Sequence, residues 1–335
     1  MNRRMTDDRR WLAAAASLAM RGRPLSRPNP AVGAIIVSEG RVAGRGWTQA
    51  GGRPHAEAVA LEMAGDAAQG ATLYVTLEPC AHKSGRGPAC ADLVAASGIA
   101  RVVIGCGDPD PRTAGAGIEA LRKEGKAVDL TASREAEASL AGYLMQRRHG
   151  RPYITLKLAT SLDGCIALAS GVSRWITGDA ARNHGHAERA RADAILVGGG
   201  TLRADMPRLD VRLPGLEARS PERWVLTGGA VPEGWQALRR PHDISAMTGA
   251  QYLLVEGGAG TAAAFLAAGL VDRLLIYRAP IMIGGGLPSI GDIGLASLAE
   301  AHGQWRLEAR RQLGSDTLDV YTRQNSSSEA LCSPE

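Results

Sequence analysis

Pro54-His-Ala-Glu-Ala-Val-Ala-Leu-Glu-Met-Ala-Gly65 followed by Ala71-Thr-Leu-Tyr-Val-Thr-Leu-Glu-Pro-Cys80 decides how the first half of the chain is built. Ala56 to Gly65 carries apolar residues at Val59, Ala60, Leu61 and Met63. Pro54 just before it suits a helix start, so His55 and Glu57 fall in the first turn. Residues two apart lie on different sides of a helix, and both can meet one metal ion only if it lies off the helix end. Residues 71–77 read as a short buried strand. Glu78-Pro79-Cys80 follows it where α/β sheets gather their ligands, and Cys80 opens a loop facing the same end as His55.

In sequence order, His55 with Glu57, then Pro79-Cys80, then Cys90, supply the parts of a hydrolytic zinc site. His-x-Glu followed by Pro-Cys-x-x-Cys is the pattern of zinc deaminases, and this chain differs only by a longer gap between the cysteines. His55, Cys80 and Cys90 are the expected zinc ligands, with the fourth position left to water, as catalytic sites leave it. Glu57 is the expected proton carrier between that water and the departing amine. A structural zinc site would want a fourth protein ligand, and His82 is the candidate. Cys106 and Cys165 sit in apolar stretches and read as ordinary core cysteines.

At 335 residues the chain is long enough for two domains, each with its own core. The balance of 39 basic to 34 acidic residues gives a formal charge of +5. No block of like charge and no interleaving of basic with aromatic residues marks a nucleic-acid surface, whereas a mild positive balance suits a phosphorylated substrate. Five cysteines, two of them assigned to metal, leave no even disulfide framework and fit a reducing, cytoplasmic setting. Trp11 to Met20 reads as the first helix rather than a signal peptide, because Asp7 and Asp8 precede it. No apolar run approaches the length of a membrane span.

The first half alternates. Helices are expected near 7–21, 56–65, 90–97, 115–121 and 133–147, and strands near 31–38, 41–47, 71–77, 101–106 and at Val128, which implies an α/β sheet with helices on its faces. Gln146 to Pro152 breaks the pattern, giving expected domains at 1–148 and 149–323. A polar, Ser-rich tail at 324–335 is expected to be disordered and Cys332 incidental. The second half opens on the strand Tyr153 to Ala159, with further strands near 193–197, 223–227, 252–255 and 273–277. Glycines follow several of them, at Gly198 to Gly200, Gly257-Gly258 and Gly284 to Gly286. Glycines at strand ends let the backbone approach a phosphate closely, and they suggest a nucleotide site, although turns alone also explain them.

The two halves together carry a more specific signal. Asn29-Pro-Ala-Val-Gly33, His55-Ala-Glu57, Leu77-Glu-Pro-Cys80, Asp108-Pro-Asp-Pro111 and Gly115-Ala-Gly-Ile118 in the first half, with Lys157-Leu-Ala-Thr-Ser-Leu-Asp-Gly164, Ser173-Arg-Trp-Ile-Thr177, Asp193-Ala-Ile-Leu-Val-Gly198 and Val255-Glu-Gly-Gly258 in the second, resemble the bifunctional deaminase/reductase family of riboflavin biosynthesis over nearly the whole chain. The resemblance implies an N-terminal cytidine-deaminase-like three-layer α/β domain and a C-terminal dihydrofolate-reductase-like α/β domain. The first would deaminate 2,5-diamino-6-(5-phosphoribosylamino)pyrimidin-4-one. The second would use NADPH to reduce the ribosyl group of 5-amino-6-(5-phosphoribosylamino)uracil. A cytoplasmic homo-oligomer, dimer or tetramer, is also expected.

Carried over position by position, the resemblance puts Asn29 at the pyrimidine or its ribose. It puts Ala159, Trp175, Thr201, Asp205, Gly258, Ala259 and Gly260 at the coenzyme. Lys157, Ser173, Arg189, Leu209, Arg212 and Glu256 fall at the substrate of the second site, with Arg189 and Arg212 suited to its 5'-phosphate because a guanidinium fork matches phosphate oxygens. Taken singly, each has an ordinary reading: surface charge for the arginines, core for Trp175, a cap for Asp205. Two departures stand out. The loop 81–89 is one residue longer than usual, which shifts contacts of His82, Lys83 and Arg86, and the passage between Arg223 and Gln251 is shorter by a few tens of residues.

Two other readings compete. In one, only the deaminase half retains chemistry and the second half binds nucleotide or builds an oligomer. In the other, the zinc pattern belongs to an enzyme that flips bases out of nucleic acid, which would want stacking aromatics along a basic channel; aromatics make up 4% of this chain, with a single Phe.

Overall fold

The computed structural model describes residues 3–82 and 85–324, so the expectations for Lys83 and for the tail from residue 325 onward lie outside the described residues. The chain divides into two compact units between Gly150 and Arg151.

In the first unit α1 (Arg3–Ala19) leads into β1 (Gly33–Ser38) and β2 (Arg41–Trp47), then α2 (Ala56–Ala64), β3 (Thr72–Val75), α3 (Cys90–Ala96), β4 (Arg101–Ile104), α4 (Ala116–Lys123), β5 (Ala127–Leu130) and α5 (Arg134–His149). The sheet order is β2-β1-β3-β4-β5, with β1 antiparallel to both neighbours and β3, β4 and β5 parallel. The central strands β1, β3 and β4 are buried on both faces, and their period of two divides the core. Ala34, Ile36, Leu73, Val75, Val102 and Ile104 pack with Ala56 and Ala60 of α2 and Val94 of α3. Ile35, Val37, Tyr74 and Val103 point the other way, onto Leu12 and Ala15 of α1. The result is three layers. Its parallel strands bring the C-terminal ends of β3 and β4 to one edge, and the ligand-bearing loop starts there.

α5 continues one residue past the boundary read from sequence and stops on Gly150, whose φ of 65° lies in the left-handed region that glycine adopts without a Cβ penalty.

The second unit runs β6 (Tyr153–Thr160), β7 (Cys165–Ala167), α6 (Asp179–Arg189), β8 (Ala194–Gly198), α7 (Gly199–Asp205), β9 (Glu222–Leu226), β10 (Gln236–Leu238), β11 (Tyr252–Val255), α8 (Ala259–Ala267), β12 (Arg273–Arg278), β13 (Leu287–Pro288), β14 (Trp305–Leu313) and β15 (Asp316–Arg323). Eight strands form one sheet in the order β10-β9-β8-β11-β6-β12-β15-β14, parallel from β10 through β12 and antiparallel through β15 and β14. The shortened passage 223–251 holds β9, the three-residue β10 and a short 3-10 turn (Pro241–Ala246), and it still closes that edge of the sheet. The hairpin β14–β15 has no counterpart in the sequence reading, although the alternation in Thr317-Leu318-Asp319-Val320 and the turn glycine Gly314 signal it. Gln324 is placed: its N–H donates to the Gln304 carbonyl at 2.9 Å. Among the described residues no helix is long and apolar enough to cross a membrane.

Candidate active sites

The first site forms where α2 begins. His55 is the cap residue in front of α2, with extended backbone, and Glu57 lies in the first turn, so both face the space beyond the helix end. Cys80 follows the end of β3, and Cys90 opens α3. The loop between them folds back so that the Cys90 N–H reaches Cys80 Sγ at 3.4 Å. His55 Nδ1 lies 3.2 Å from Cys90 Sγ and 3.6 Å from Cys80 Sγ, and the three ligand atoms lie within 4.8 Å of one another. Zn–S bonds of about 2.3 Å and a Zn–N bond of about 2.0 Å at tetrahedral angles put ligand atoms roughly 3.5 Å apart, so this triad has the separation zinc needs. It is the only such cluster of His, Cys, Asp and Glu among the described residues.

Electrostatics point the same way. A hydrogen bond from Cys90 draws the Cys80 thiol down to about 4 against the cost of burial, with His55 adding to the effect. Cys90 is pushed up, as donor to Cys80 and as a buried thiol beside Glu57. A thiolate, the form that binds metal, therefore forms first at Cys80. Burial raises the Glu57 carboxyl, with the charge of His55 opposing. His82 takes no part in the triad; its Nδ1 faces the Thr113 hydroxyl at 3.5 Å, which leaves the set at three protein ligands.

A cavity of about 190 Å³ opens over the triad, lined by Asn29, His55, Glu57, Cys80, His82, Asp108, Asp110 and Tyr143 among others. Asn29 donates through Nδ2 to the Gly52 carbonyl at 2.9 Å and approaches His55 Nε2 at 3.1 Å. It fits because Gly52, at φ 84°, has no Cβ to collide with the amide.

Asp108, Asp110 and Tyr143 received no role from the sequence, though the Asp108-Pro-Asp-Pro111 motif marked two of them. The Tyr143 hydroxyl donates to Asp108 at 2.7 Å; burial raises the Asp108 carboxyl, opposed by the hydrogen bonds from the Asp110 N–H and from Tyr143. Asp110 is held well below the usual carboxylate range by Arg112, against a small cost of burial and with help from Arg147.

Glu78, next to the ligand loop, was named in the sequence but received no role there. Its carboxylate accepts from the backbone N–H groups of Asp108, Gly115, Gly117 and Ile118 at 3.0–3.3 Å, tying the turn before Cys80 to the start of α4. Glu78→Gln keeps one accepting oxygen and leaves backbone donors unpaired at about 1–3 kcal/mol each. We expect a lower melting midpoint and roughly tenfold weaker zinc binding, the size seen when groups behind a metal ligand are altered. Zinc titration of the variant against wild type checks this; equal affinities would remove Glu78 from the ligand scaffold.

The second site is a cavity of about 1080 Å³ at the C-terminal ends of β6, β8 and β11, where a parallel sheet places its ligands. Lys157, Ala159, Ser173, Trp175, Arg189, Thr201, Asp205, Leu209, Arg212, Glu256, Gly258, Ala259 and Gly260 all line it. The glycines after β8 and β11 open the way to the first turn of α8, whose leading N–H groups have no partner within the helix.

Arg189 lines this cavity and is also paired within the protein: its Nε and Nη2 donate to Glu256 at 2.7 and 2.9 Å, and Nη1 donates to the Asp210 carbonyl at 3.0 Å. Lys157 Nζ lies 3.6 Å from Glu256. Burial alone would raise the Glu256 carboxyl, but Arg189 and Lys157 bring it to about 2. Arg212 keeps an exposed guanidinium at the rim, 3.6 Å from Asp210. Asp205 pairs with Arg174 at 3.4 Å, and Trp175, 65% exposed, is covered on one face by the Arg182 guanidinium. A long cleft with a half-buried cation, a deeply buried carboxylate, an exposed aromatic ring and glycine-flanked helix N–H groups fits a dinucleotide and a polar second substrate.

A zinc-deaminase site on one sheet and a dinucleotide cleft on another define a two-site deaminase–reductase. Comparison with known proteins agrees in both halves. The cytidine and deoxycytidylate deaminase zinc-binding region matches residues 5–106, and the RibD C-terminal domain matches 152–240 and 242–318, a span that includes the shortened passage. The riboflavin biosynthesis protein RibD of Aquifex aeolicus is 36% identical, with 94% of this chain and 98% of that protein covered, and that of Escherichia coli is 38% identical, covering 92% and 97%. Among solved structures, Acinetobacter baumannii RibD superposes with a TM-score of 0.82 at 33% identity (96% of this chain, 100% of that one). A Thermotoga maritima diaminohydroxyphosphoribosylaminopyrimidine deaminase/5-amino-6-(5-phosphoribosylamino)uracil reductase gives 0.83 at 30% (95% and 99%). The chain belongs to the RibD family of bifunctional riboflavin-biosynthesis enzymes.

Proposed function

We propose that the first unit hydrolyses the exocyclic amine of 2,5-diamino-6-(5-phosphoribosylamino)pyrimidin-4-one, and that the second reduces the resulting 5-amino-6-(5-phosphoribosylamino)uracil with NADPH to the ribitylamino product. The observation that carries the first step is the convergence of His55, Cys80 and Cys90 with a buried Glu57 beside them. Zinc held there supplies a Lewis acid that makes water nucleophilic at neutral pH. Glu57, with its carboxyl raised by burial, takes the proton from the attacking water and hands it to the leaving amine, so that ammonia departs and a carbonyl remains. Asn29 at the cavity wall orients the pyrimidine or its ribose.

In the second unit NADPH supplies a hydride. Ala159, Trp175, Thr201, Asp205 and the Gly258–Gly260 turn hold the dinucleotide, while Ser173, Leu209 and Glu256 position the sugar. The Lys157 ammonium, 3.6 Å from Glu256, would give a proton to the ribose ring oxygen as the C1'–O4' bond opens, leaving C1' able to accept a hydride. Arg212, whose guanidinium faces solvent at the rim, and Arg189 beside Glu256 are the cations suited to the 5'-phosphate. The use of Cys80 and Cys90 as metal ligands suits a reducing, cytoplasmic setting.

One assay that follows ammonia and NADPH together under anaerobic conditions tests both sites. Stripping metal with a chelator is expected to stop ammonia release and added zinc to restore it, while NADPH oxidation on supplied aminouracil continues in the stripped protein. Undiminished ammonia release from metal-free protein would overturn the first assignment. Absence of NADPH oxidation on that substrate would favour a second unit that binds without catalysis.

A further inference from the structure

Asp163 belongs to Lys157–Gly164, a stretch the sequence marks out, and the chemistry above leaves it without a task. It sits on the exposed turn between β6 and β7, yet its carboxylate reaches a segment far along the chain. Oδ1 accepts from the Ile283 N–H at 3.1 Å and Oδ2 from the Gly284 N–H at 2.7 Å. Gly284 and Gly285 both have φ of 62°, a left-handed bend that glycine allows and that turns successive N–H groups toward one anion.

The whole segment 279–289 is laid along residues 160–167. The Ala279 N–H donates to the Thr160 carbonyl at 2.8 Å, the Leu162 N–H to Ile281 at 2.8 Å and the Ser289 N–H to Gly164 at 3.0 Å. Leu287 then pairs with Ala167 and Pro288 with Cys165. Gly286 passes so close to the Ala167 carbonyl and the Ile283 side chain that a Cβ has no room. Leu287 and Pro288, together with Ile166 and Ala167 across from them, form a wall of the same cavity that holds Lys157 and Trp175.

We propose that Asp163 is a positioning residue of the reductase: by clamping the Ile283–Gly284 backbone it sets the wall made by Leu287, Pro288, Ile166 and Ala167, against which hydride donor and acceptor reach reacting distance. It touches neither of them. The inference rests on reading the second unit as an NADPH-dependent reductase. Its consequence is a selective one. Most residues assigned to the coenzyme, Thr201 and Asp205 on α7 and Gly258 to Gly260 at the start of α8, lie outside the 160–167 and 279–289 segments, so a loosened wall would spoil alignment more than binding. Misplacement of reacting groups by about 1 Å costs on the order of a hundredfold in rate.

The test uses the full chain with Asp163→Ala and the nearly isosteric Asp163→Asn, which retains one accepting oxygen and keeps the test usable should the alanine variant not fold. Reductase kcat, NADPH affinity from the change in coenzyme fluorescence on binding, ammonia release and thermal melting are read together. The expected result is a fall of roughly ten- to hundredfold in reductase kcat for Asp163→Ala and a smaller fall for Asp163→Asn. NADPH affinity should change by less than about threefold, with ammonia release as in wild type. Reductase kcat within about twofold of wild type in the folded variants would overturn the proposal, and so would kcat and NADPH affinity falling together by the same factor. If wild type neither binds nor oxidises NADPH, the reductase reading itself falls, and the proposal with it.

Discussion

Glu57→Gln loses deamination by roughly a hundred- to ten-thousandfold, the range a positioned proton carrier contributes, while retaining zinc and NADPH oxidation. The selectivity follows from geometry. Glu57 is 3% exposed and is not one of the three clustered ligand residues, so changing its oxygen to an amide leaves His55, Cys80 and Cys90 in place. The fold tolerates the change because burial already disfavours the charged carboxylate. A group raised by burial loses stability as pH rises through its folded-state pKa, and a neutral amide of the same shape removes that cost. Ammonia release, zinc content and NADPH oxidation measured on one preparation check this. Deamination at the wild-type rate would remove Glu57 from the chemistry, and loss of zinc along with activity would make it part of the metal scaffold.

Glu256→Gln damages the second unit in both stability and turnover. The wild-type carboxylate accepts two charge-assisted bonds from Arg189 and faces Lys157, with side-chain exposures of 10%, 14% and 24% for the three groups. Removing one partner of a buried pair strands the other charges and costs about 3–5 kcal/mol. For a unit of this size that lowers its melting midpoint by roughly 10 °C. Reductase turnover falls as well, since Lys157 loses the group that holds its ammonium in the cavity. The pH dependence has a definite sign. The Glu256 carboxyl is depressed from 4.5 to about 2, so its stabilising effect is complete above 4.5 and disappears as pH falls toward 2. Wild type should lose stability in the second unit over that window and Glu256→Gln should show a flatter profile. Calorimetry across acidic pH decides it, and identical profiles would show that the ion cluster contributes nothing net.

The zinc site was legible from the chain because its information is local. His55 and Glu57 share one helix start, Cys80 lies in the loop that follows one strand, and Cys90 opens the next helix, so pattern and spacing together imply convergence. Glu78 was not legible. Its partners are backbone N–H groups up to Ile118, and no side-chain type advertises a backbone donor. In the second unit, the resemblance located every cavity-lining residue it named, yet it left the charge pairing hidden. Arg189 looks the same in sequence whether its fork faces a phosphate or grips Glu256. Asp163 was conspicuous without a purpose until the fold laid residues 279–289 beside it. The C-terminal hairpin was missed because β14, with Arg306, Glu308, Arg310 and Arg311, shows mostly charged residues to solvent and carries little apolar periodicity of its own.

By itself the sequence determined the order of helices and strands in the first unit, the three metal-ligand types with their accompanying carboxylate, and the family. Short-range periodicity, capping and ligand chemistry are properties of neighbouring residues, and they survive without a fold. Only the tertiary structure decided that Arg189 grips Glu256, that the Glu78 carboxylate holds the backbone at the start of α4 and that Asp163 reaches the Ile283–Gly284 backbone. Those assignments depend on partners separated by tens to more than a hundred residues, and a charge acquires its role only when packing has chosen what it faces.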